Sequence, residues 1–245
     1  MSGWARIAKR FYARAEARPI DGAPPGVEGA HGVFLDDRPL RCPGGSLFAA
    51  PPSVAQAAAA EWDAVVEQID PRAMPITRAV NTALERVAPQ REAVIAEISG
   101  YAETDLLCHR AAAPHALATR EAQAWDPVLS WLEQRYGARL IAGVGVSLPP
   151  QPADAAARLR AAVASECDLG LTALSDLTAL SGSLALGLAV VERELTAEAA
   201  WSASRIDEDW QAEQWGLDQE AADAAEERRR AFTAAARLSA LLRSA

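Results

Sequence analysis

LTALSGSLALGLAVV, residues 177–191, decides how the second half of this chain folds. These fifteen residues carry no charge, and Asp176 and Glu192 bracket them. A membrane-spanning helix needs about 20 apolar residues, so this stretch is short for a span. Gly182 and Gly187 allow helices to approach closely, which buried helices also exploit. We therefore predict a helix in a protein core rather than a membrane segment.

Helical sequence extends on both sides of this stretch. Everything beyond Pro152 is predicted to be helical. Residues 54–68 are predicted to form a helix as well, because no Gly or Pro interrupts them, and Ser53 is the predicted N-cap. Upstream helices are predicted at 76–86, from Pro89 through Leu107, and at 114–136 with a junction at Pro127 and a C-terminal cap at Gly137.

The first fifty residues have β character instead. Phe11 and Tyr12 lie in a strand-like segment, and residues 31–43 predict a hairpin that turns at Asp36 and Asp37. Residues 138–148 are the one later strand candidate. The predicted fold class is α+β, with a small β-rich domain (1–73) that ends in a helix, followed by a larger, mainly helical orthogonal bundle (74–245).

Cysteine and histidine usage argues against disulfides and metals. Cys42, Cys108 and Cys167 are far apart, whereas a zinc site needs paired ligands at short spacing. His109 and His115 are six residues apart, which does not place two ligands on one helical face. We expect no metal, no cofactor and a reducing compartment.

The net charge of −9 is concentrated near the C-terminus. Residues 192–227 hold twelve acids and two arginines, a local net charge of −10. Nucleic-acid binding requires basic side chains that neutralise phosphates, so nucleic acid is an unsuitable partner. A basic protein surface or plain solvation of a helical face fits this charge better.

Four acids in this region, Asp207, Glu208, Asp209 and Glu213, allow three interpretations. Asp209 and Glu213 are i and i+4 and share a helical face, while Glu208 points elsewhere. The cluster could be a solvated face, a partner-binding face or an acid–base pair. Trp201, Trp210 and Trp215 are placed on the same helix, where core packing and interface anchoring are both open.

Motifs that would indicate an enzyme are missing from the sequence. GVGVS, residues 143–147, lacks the third glycine of a dinucleotide fingerprint, and the sequence contains no P-loop. Ser181-Gly182-Ser183 lacks the flanks of a nucleophile elbow. We predict a protein that is not an enzyme and has no small-molecule substrate.

Several stretches together resemble one family, and they occur in family order over nearly the whole chain. They are KRFY (9–12), FLDDRPLRCPGG (34–45), EWD (61–63), MPITRAVNTALERV (74–87), YAETDLLCHR (101–110), WDP (125–127), DLTALSGSLALGLAV (176–190) and SRIDEDWQAEQWGLDQEA (204–221). The set is similar to the Atp-twelve family, assembly chaperones that bind the alpha subunit of the F-type ATP synthase catalytic sector. One departure is Asp37, where the family hairpin usually has glycine.

The resemblance implies an ATP-independent chaperone that holds the unassembled alpha subunit until beta subunits replace it. It also implies a small β-rich domain before a helical one, no membrane insertion, and the cytoplasm of a bacterium (the mitochondrial matrix for eukaryotic relatives). The start of the chain, residues 1–18, is expected to belong to the folded protein.

Carried over residue by residue, the resemblance makes the acidic stretch the sensitive part. The expected partner-binding residues are Asp207, Glu208, Asp209, Glu213, Trp210 and Trp215. Trp62 is expected to pack between the domains, so that a charged replacement costs about 3–5 kcal/mol if the ring is buried. The alternatives are a general holdase with an acidic helical surface and a carboxylate-dependent hydrolase, which requires two of these acids in one deep pocket.

Overall fold

A three-stranded antiparallel sheet with a helix packed on it forms the N-terminal part of the protein, seen in a computed structural model that describes residues 8–21, 27, 29–145 and 148–244. The strands, in spatial order, are β1 (Ala15–Pro19), β2 (His31–Leu35) and β3 (Arg38–Pro39). The strand predicted at Phe11 and Tyr12 is wrong, because pairing begins at Ala15, opposite Leu35. Tyr12 is buried instead and donates its hydroxyl to the Trp62 carbonyl oxygen at 2.6 Å.

The hairpin turn at Asp36 and Asp37 is confirmed, and Asp36 takes the left-handed conformation with φ 56°. Aspartate tolerates this region when its carboxylate finds local donors. Asp36 Oδ1 accepts the backbone N–H groups of Ala13 and Arg14, both at 3.0 Å. These bonds tie the segment before β1 to the turn and explain how the hairpin forms without glycine.

The helices follow the predicted order, and their bounds are α1 (Pro52–Asp63), α2 (Pro75–Thr82), α3 (Arg91–Gly100), α4 (His115–Tyr136), α5 (Ala153–Ala164), α6 (Asp168–Ser181), α7 (Leu184–Val191), α8 (Ala197–Ser204), α9 (Ile206–Trp215) and α10 (Gln219–Leu242). A π-helical turn, Ala83–Val87, continues α2. The predicted N-cap at Ser53 is wrong, since α1 begins at Pro52 and Pro51 occupies the N-cap position, so Ser53 lies inside the first turn. Ser53 Oγ donates to the Leu241 carbonyl oxygen at 2.9 Å.

Three other boundaries differ from the prediction. α3 ends at Gly100, and Leu106–Cys108 forms a separate 3-10 turn. The junction at Pro127 is wrong, because α4 passes through it on an exposed face where water can satisfy the freed carbonyl. Within 138–145 and 148, only β5 (Gly143–Val144) is a strand; it pairs in parallel with β4 (His109–Arg110). The cap at Gly137 is confirmed, with φ 66°.

The uncharged stretch 177–191 is buried as predicted, but it forms parts of two helices. Gly182, with φ 71°, breaks the chain between α6 and α7, and Ser183 Oγ caps α7 by accepting the Leu186 N–H at 3.0 Å. A Cβ on Gly187 would lie 2.8 Å from Thr178 Oγ1, so glycine permits the close approach of α6 and α7. No helix in the described part of the chain combines the length and apolarity of a membrane span.

The chain divides into two compact units. The first comprises Met1–Gln90, Cys167–Thr172 and Arg237–Ala245, and the second comprises Arg91–Glu166 and Ala173–Ala236. A small sheet followed by a mainly helical remainder confirms the α+β class. The domain boundary between residues 73 and 74 stays a prediction, and residues 1–7 lie outside the described part of the chain.

Candidate protein-binding surface

The acidic segment forms its own helix, α9, set at a corner to α8. The chain leaves helical geometry at Arg205, with φ −109° and ψ 6°, and resumes at Ile206. The prediction that Trp201 shares a helix with Trp210 and Trp215 is therefore wrong. Trp201 lies on α8, where it is buried with its ring centroid 5.7 Å from that of Phe232 on α10.

The four predicted acids lie together on α9 but have different environments. Glu208 is exposed and accepts Arg205 Nη1 at 3.0 Å. Glu213 receives both terminal nitrogens of Arg120 from α4, at 2.7 and 3.0 Å, and this hydrogen bonding lowers its pKa. Asp209 is exposed, and its side chain has no ion pair or hydrogen bond among the described residues.

Asp207 turns inward, toward Glu121 on α4. Glu121 is almost fully buried, and its Oε2 accepts the backbone N–H of Ala111 at 2.9 Å. Burial raises the pKa of Glu121, the neighbouring Asp207 raises it further, and the Ala111 N–H and the Arg110 charge act in the opposite sense. Asp207 Oδ1 is buried without a donor among the described residues. The buried Glu121 carboxyl and the inward-facing Asp207 carboxyl are therefore neighbours, so two acidic groups lie between α4 and α9.

The two tryptophans on α9 also differ. Trp210 is half-buried, and the Arg120 guanidinium lies 5.0 Å above its ring centroid, so one arginine holds both Glu213 and Trp210 against α4. Trp215 ends the helix with 79% of its surface exposed, and Leu217 beyond it is 72% exposed. Exposed large apolar side chains next to carboxylates are typical of a protein interface.

A groove of about 710 Å³ runs between the α8–α9 segment and α10. Its lining includes Trp201, Glu208, Asp209, Trp215 and Leu217. The groove thus contains two of the four predicted acids, Glu208 and Asp209, as a hydrolase would require. Glu208, however, forms an ion pair with Arg205. Three arginines also line the groove, so its charge is mixed. Apolar walls with charged groups at an open rim suit the binding of a polypeptide.

Arg120 and Glu121 were not predicted, although both position α9. Glu121 lies on the buried stripe of α4 that continues through Trp125, Val128 and Leu132, at helical spacing. A carboxylate on an apolar stripe is the signal that identifies it, because such a group needs a partner when buried. Arg120, on a half-exposed position, carries no comparable signal.

Trp62 lies on α1 in the first unit, half-buried, with its ring centroid 5.9 Å from that of Tyr12. Its packing between domains stays a prediction. Among the residues that the structure describes, no group of three histidine, cysteine or acidic side chains is placed to hold a metal ion. Cys42 and Cys108 are buried free thiols, and burial is the main cause that raises their pKa values, to about 11 and about 12.

Comparison with known proteins identifies close similarities over this whole arrangement. The sequence profile of the ATP12 chaperone family matches residues 9–133. Crystallised Atp12 from Paracoccus denitrificans is 44% identical, with 96% of this chain and 98% of that chain covered and a TM-score of 0.89. A lysine-for-aspartate mutant of the P. denitrificans protein is also 44% identical, with 96% of this chain and 97% of that chain covered and a TM-score of 0.90. A chaperone-like protein of Agrobacterium tumefaciens is 38% identical, with 96% of this chain and 87% of that chain covered and a TM-score of 0.90.

Proposed function

Because the chain belongs to the ATP12 chaperone family, we propose that it assists assembly of the F-type ATP synthase by binding the unassembled alpha subunit. The observation that carries the proposal is the surface of α9, where exposed acids stand beside the exposed Trp215 and Leu217. A subunit awaiting its neighbours exposes apolar and charged surface, and such surface aggregates unless another protein covers it.

The six predicted partner-binding residues divide into two roles in this proposal. Glu208, Asp209 and Trp215 contact the partner, since all three are exposed and line one groove. The others act behind them: Asp207 faces Glu121 on α4, and Glu213 and Trp210 are held by Arg120. These inner contacts fix the orientation of α9, so that the contacting side chains are preorganised before the partner arrives.

Charge and apolar area contribute differently to the proposed complex. Carboxylates at the rim attract basic side chains of the alpha subunit and fix the register of docking. Trp215 supplies the apolar anchor, which is the kind of residue that dominates binding energy at protein interfaces. Release then requires only that beta subunits compete for the same surface, without nucleotide hydrolysis by the chaperone. The proposed site of action is the bacterial cytoplasm.

The test compares alpha-subunit binding by the wild-type protein with binding by Asp209→Lys. Asp209 forms no ion pair or hydrogen bond within the described residues and acts on Arg120 only through its charge, so its reversal should weaken binding by about tenfold or more and lower thermal stability only slightly. The matched control is Asp154→Lys on α5, an exposed aspartate with a loose Arg158 pair at 3.7 Å, for which binding should not change.

Two results would contradict the proposal. Equal alpha-subunit affinity for wild type and Asp209→Lys would remove α9 from the interface. Equal suppression of aggregation for the alpha subunit and for unrelated unfolded proteins would identify a general holdase instead.

A further inference from the structure

A second cleft, in the first unit, lies between the end of the hairpin and α2. Its volume is about 530 Å³, and its lining is mostly apolar. Leu40 and Pro43 contribute from the chain after β3, and Ile69, Pro71 and Met74 contribute from the segment that leads into α2. Apolar clefts with a few convergent polar groups are the usual form of a binding site.

Two polar atoms in the lining residues of this cleft lack hydrogen-bond partners. Trp62 Nε1 and Asn81 Oδ1 are both shielded from solvent, and neither has a partner among the residues that the structure describes. Buried polar groups are nearly always paired, and an orphaned one costs about 1–3 kcal/mol. The indole is a donor and the amide oxygen an acceptor, so they complement a backbone C=O and a backbone N–H.

The charge of the cleft is opposite to that of α9. Its charged lining residues are Arg41 and Arg78, with no acid among them. Arg78 is exposed, and its guanidinium has no ion pair or hydrogen bond within the described ranges of the chain. An adjoining cavity of about 810 Å³ shares Pro43, Arg78 and Asn81 with the cleft and adds the exposed Arg86 and one acid, Glu85. The two cavities together carry three arginines and one acid, a local excess of positive charge in a chain of net charge −9.

We propose that this cleft binds an extended segment of a partner protein in which aliphatic side chains are flanked by acidic ones. The aliphatic side chains fill the apolar wall, and the acids meet Arg78. A backbone C=O and a backbone N–H of the segment pair with Trp62 and Asn81 once these side chains turn into the cleft. Extended peptides are commonly recognised by such a combination of main-chain hydrogen bonds and side-chain pockets. The site is separate from α9 and goes beyond the proposed function, because it does not require that the partner be the alpha subunit.

The test uses the full chain and two synthetic peptide pools. In the first pool, three central positions drawn from leucine, isoleucine, valine and methionine are flanked by pairs of glutamates; in the second, lysines replace the glutamates. Binding is followed at the indole N–H signal of Trp62 in proton–nitrogen correlation spectra. The acidic pool should shift this signal downfield, as a new hydrogen bond does, and the basic pool should not.

Three variants complete the test. Arg78→Glu should weaken binding of the acidic pool by about tenfold, whereas Arg38→Glu, the same charge reversal on an exposed arginine of β3 outside the cleft, should leave it unchanged. Asn81→Leu should weaken binding without loss of thermal stability, since it removes an unpaired acceptor. The proposal is overturned if the Trp62 signal does not move, or if Arg78→Glu and Asn81→Leu both bind the acidic pool as wild type does. Alpha-subunit affinity measured with Asp209→Lys is independent of these results.

Discussion

Asp105 connects two parts of the second unit, and its replacement by alanine tests how the buried stretch 177–191 is held. The residue is fully buried between the 3-10 turn Leu106–Cys108 and the start of α7. Its Oδ1 accepts the Leu107 N–H and its Oδ2 accepts the Ala185 N–H, both at 3.0 Å. A carboxylate at the beginning of a helix also meets the positive end of the helix dipole.

The magnitude follows from the donors that Asp105→Ala would strand. At least the Leu107 and Ala185 N–H groups lose their acceptor, at about 1–3 kcal/mol each, so the expected loss of unfolding free energy is about 2–6 kcal/mol or more. That is a large share of the about 5–15 kcal/mol that stabilises a typical protein. Asp105→Asn keeps one acceptor oxygen and turns an NH₂ group toward the other donor, so it should cost about half as much.

Urea unfolding followed by circular dichroism measures the effect. With a slope of about 3 kcal/mol per molar urea, the midpoint for Asp105→Ala should fall by about 1–2 M. Hydrogen exchange at the Leu107 and Ala185 amides should accelerate more than exchange elsewhere. Asp154→Ala, an exposed aspartate on α5, is the control and should change the midpoint little. A loss for Asp105→Ala no larger than that of the control would refute the reasoning.

Two further predictions concern α4, which carries the inner contacts of α9. Glu121→Gln should make the stability of the protein less sensitive to rising pH. Because the pKa of Glu121 is raised in the folded state, the unfolded chain releases this proton at a lower pH than the folded chain does. Wild-type stability therefore falls as the pH rises from the unfolded-state pKa through the folded-state pKa. Denaturation midpoints at pH 4 and pH 8 measure this, and an unchanged difference between them for the variant would count against a raised pKa of Glu121. Trp125→Phe removes the 2.8 Å hydrogen bond from Nε1 to the buried Ala203 carbonyl and should cost about 1–3 kcal/mol plus a cavity term. Calorimetry measures this loss, and a melting temperature equal to that of wild type would show that the bond is replaced.

The sequence predicted correctly the features that depend on residues close together in the chain. The hairpin at residues 31–39 follows from short apolar runs around two aspartates, because aspartate is a favoured turn residue. The Ala13 and Arg14 N–H groups that hold Asp36 are distant in sequence and were not predicted. The end of α4 at Gly137 follows in the same way from the left-handed conformation that glycine adopts freely. The sequence prediction failed where two helix starts were locally possible: Ser53 can act as an N-cap, yet α1 begins one residue earlier, at Pro52, because proline also suits the first turn.

In the candidate site, too, the sequence predicted local features but not contacts between distant residues. The sequence identified the acids of α9 and the tryptophans near them, because a dense run of carboxylates is visible without coordinates. It could not separate the exposed Asp209 from the inward Asp207, since that depends on α4 lying against one face of α9. It also did not reveal that Trp62 and Asn81, nineteen positions apart, line one cleft.

The sequence alone determined that residues 177–191 are buried, that the fold joins a small sheet to a helical majority, and that the C-terminal region is acidic. These are properties of composition and spacing, and no tertiary contact is needed to read them. Only the tertiary structure decided that Gly182 splits the buried stretch into two helices, that the buried Glu121 lies beside Asp207, and that Arg78 forms no ion pair among the described residues. The reason is physical: the pKa, pairing and exposure of a side chain depend on neighbours that are distant in sequence, and packing alone brings them together.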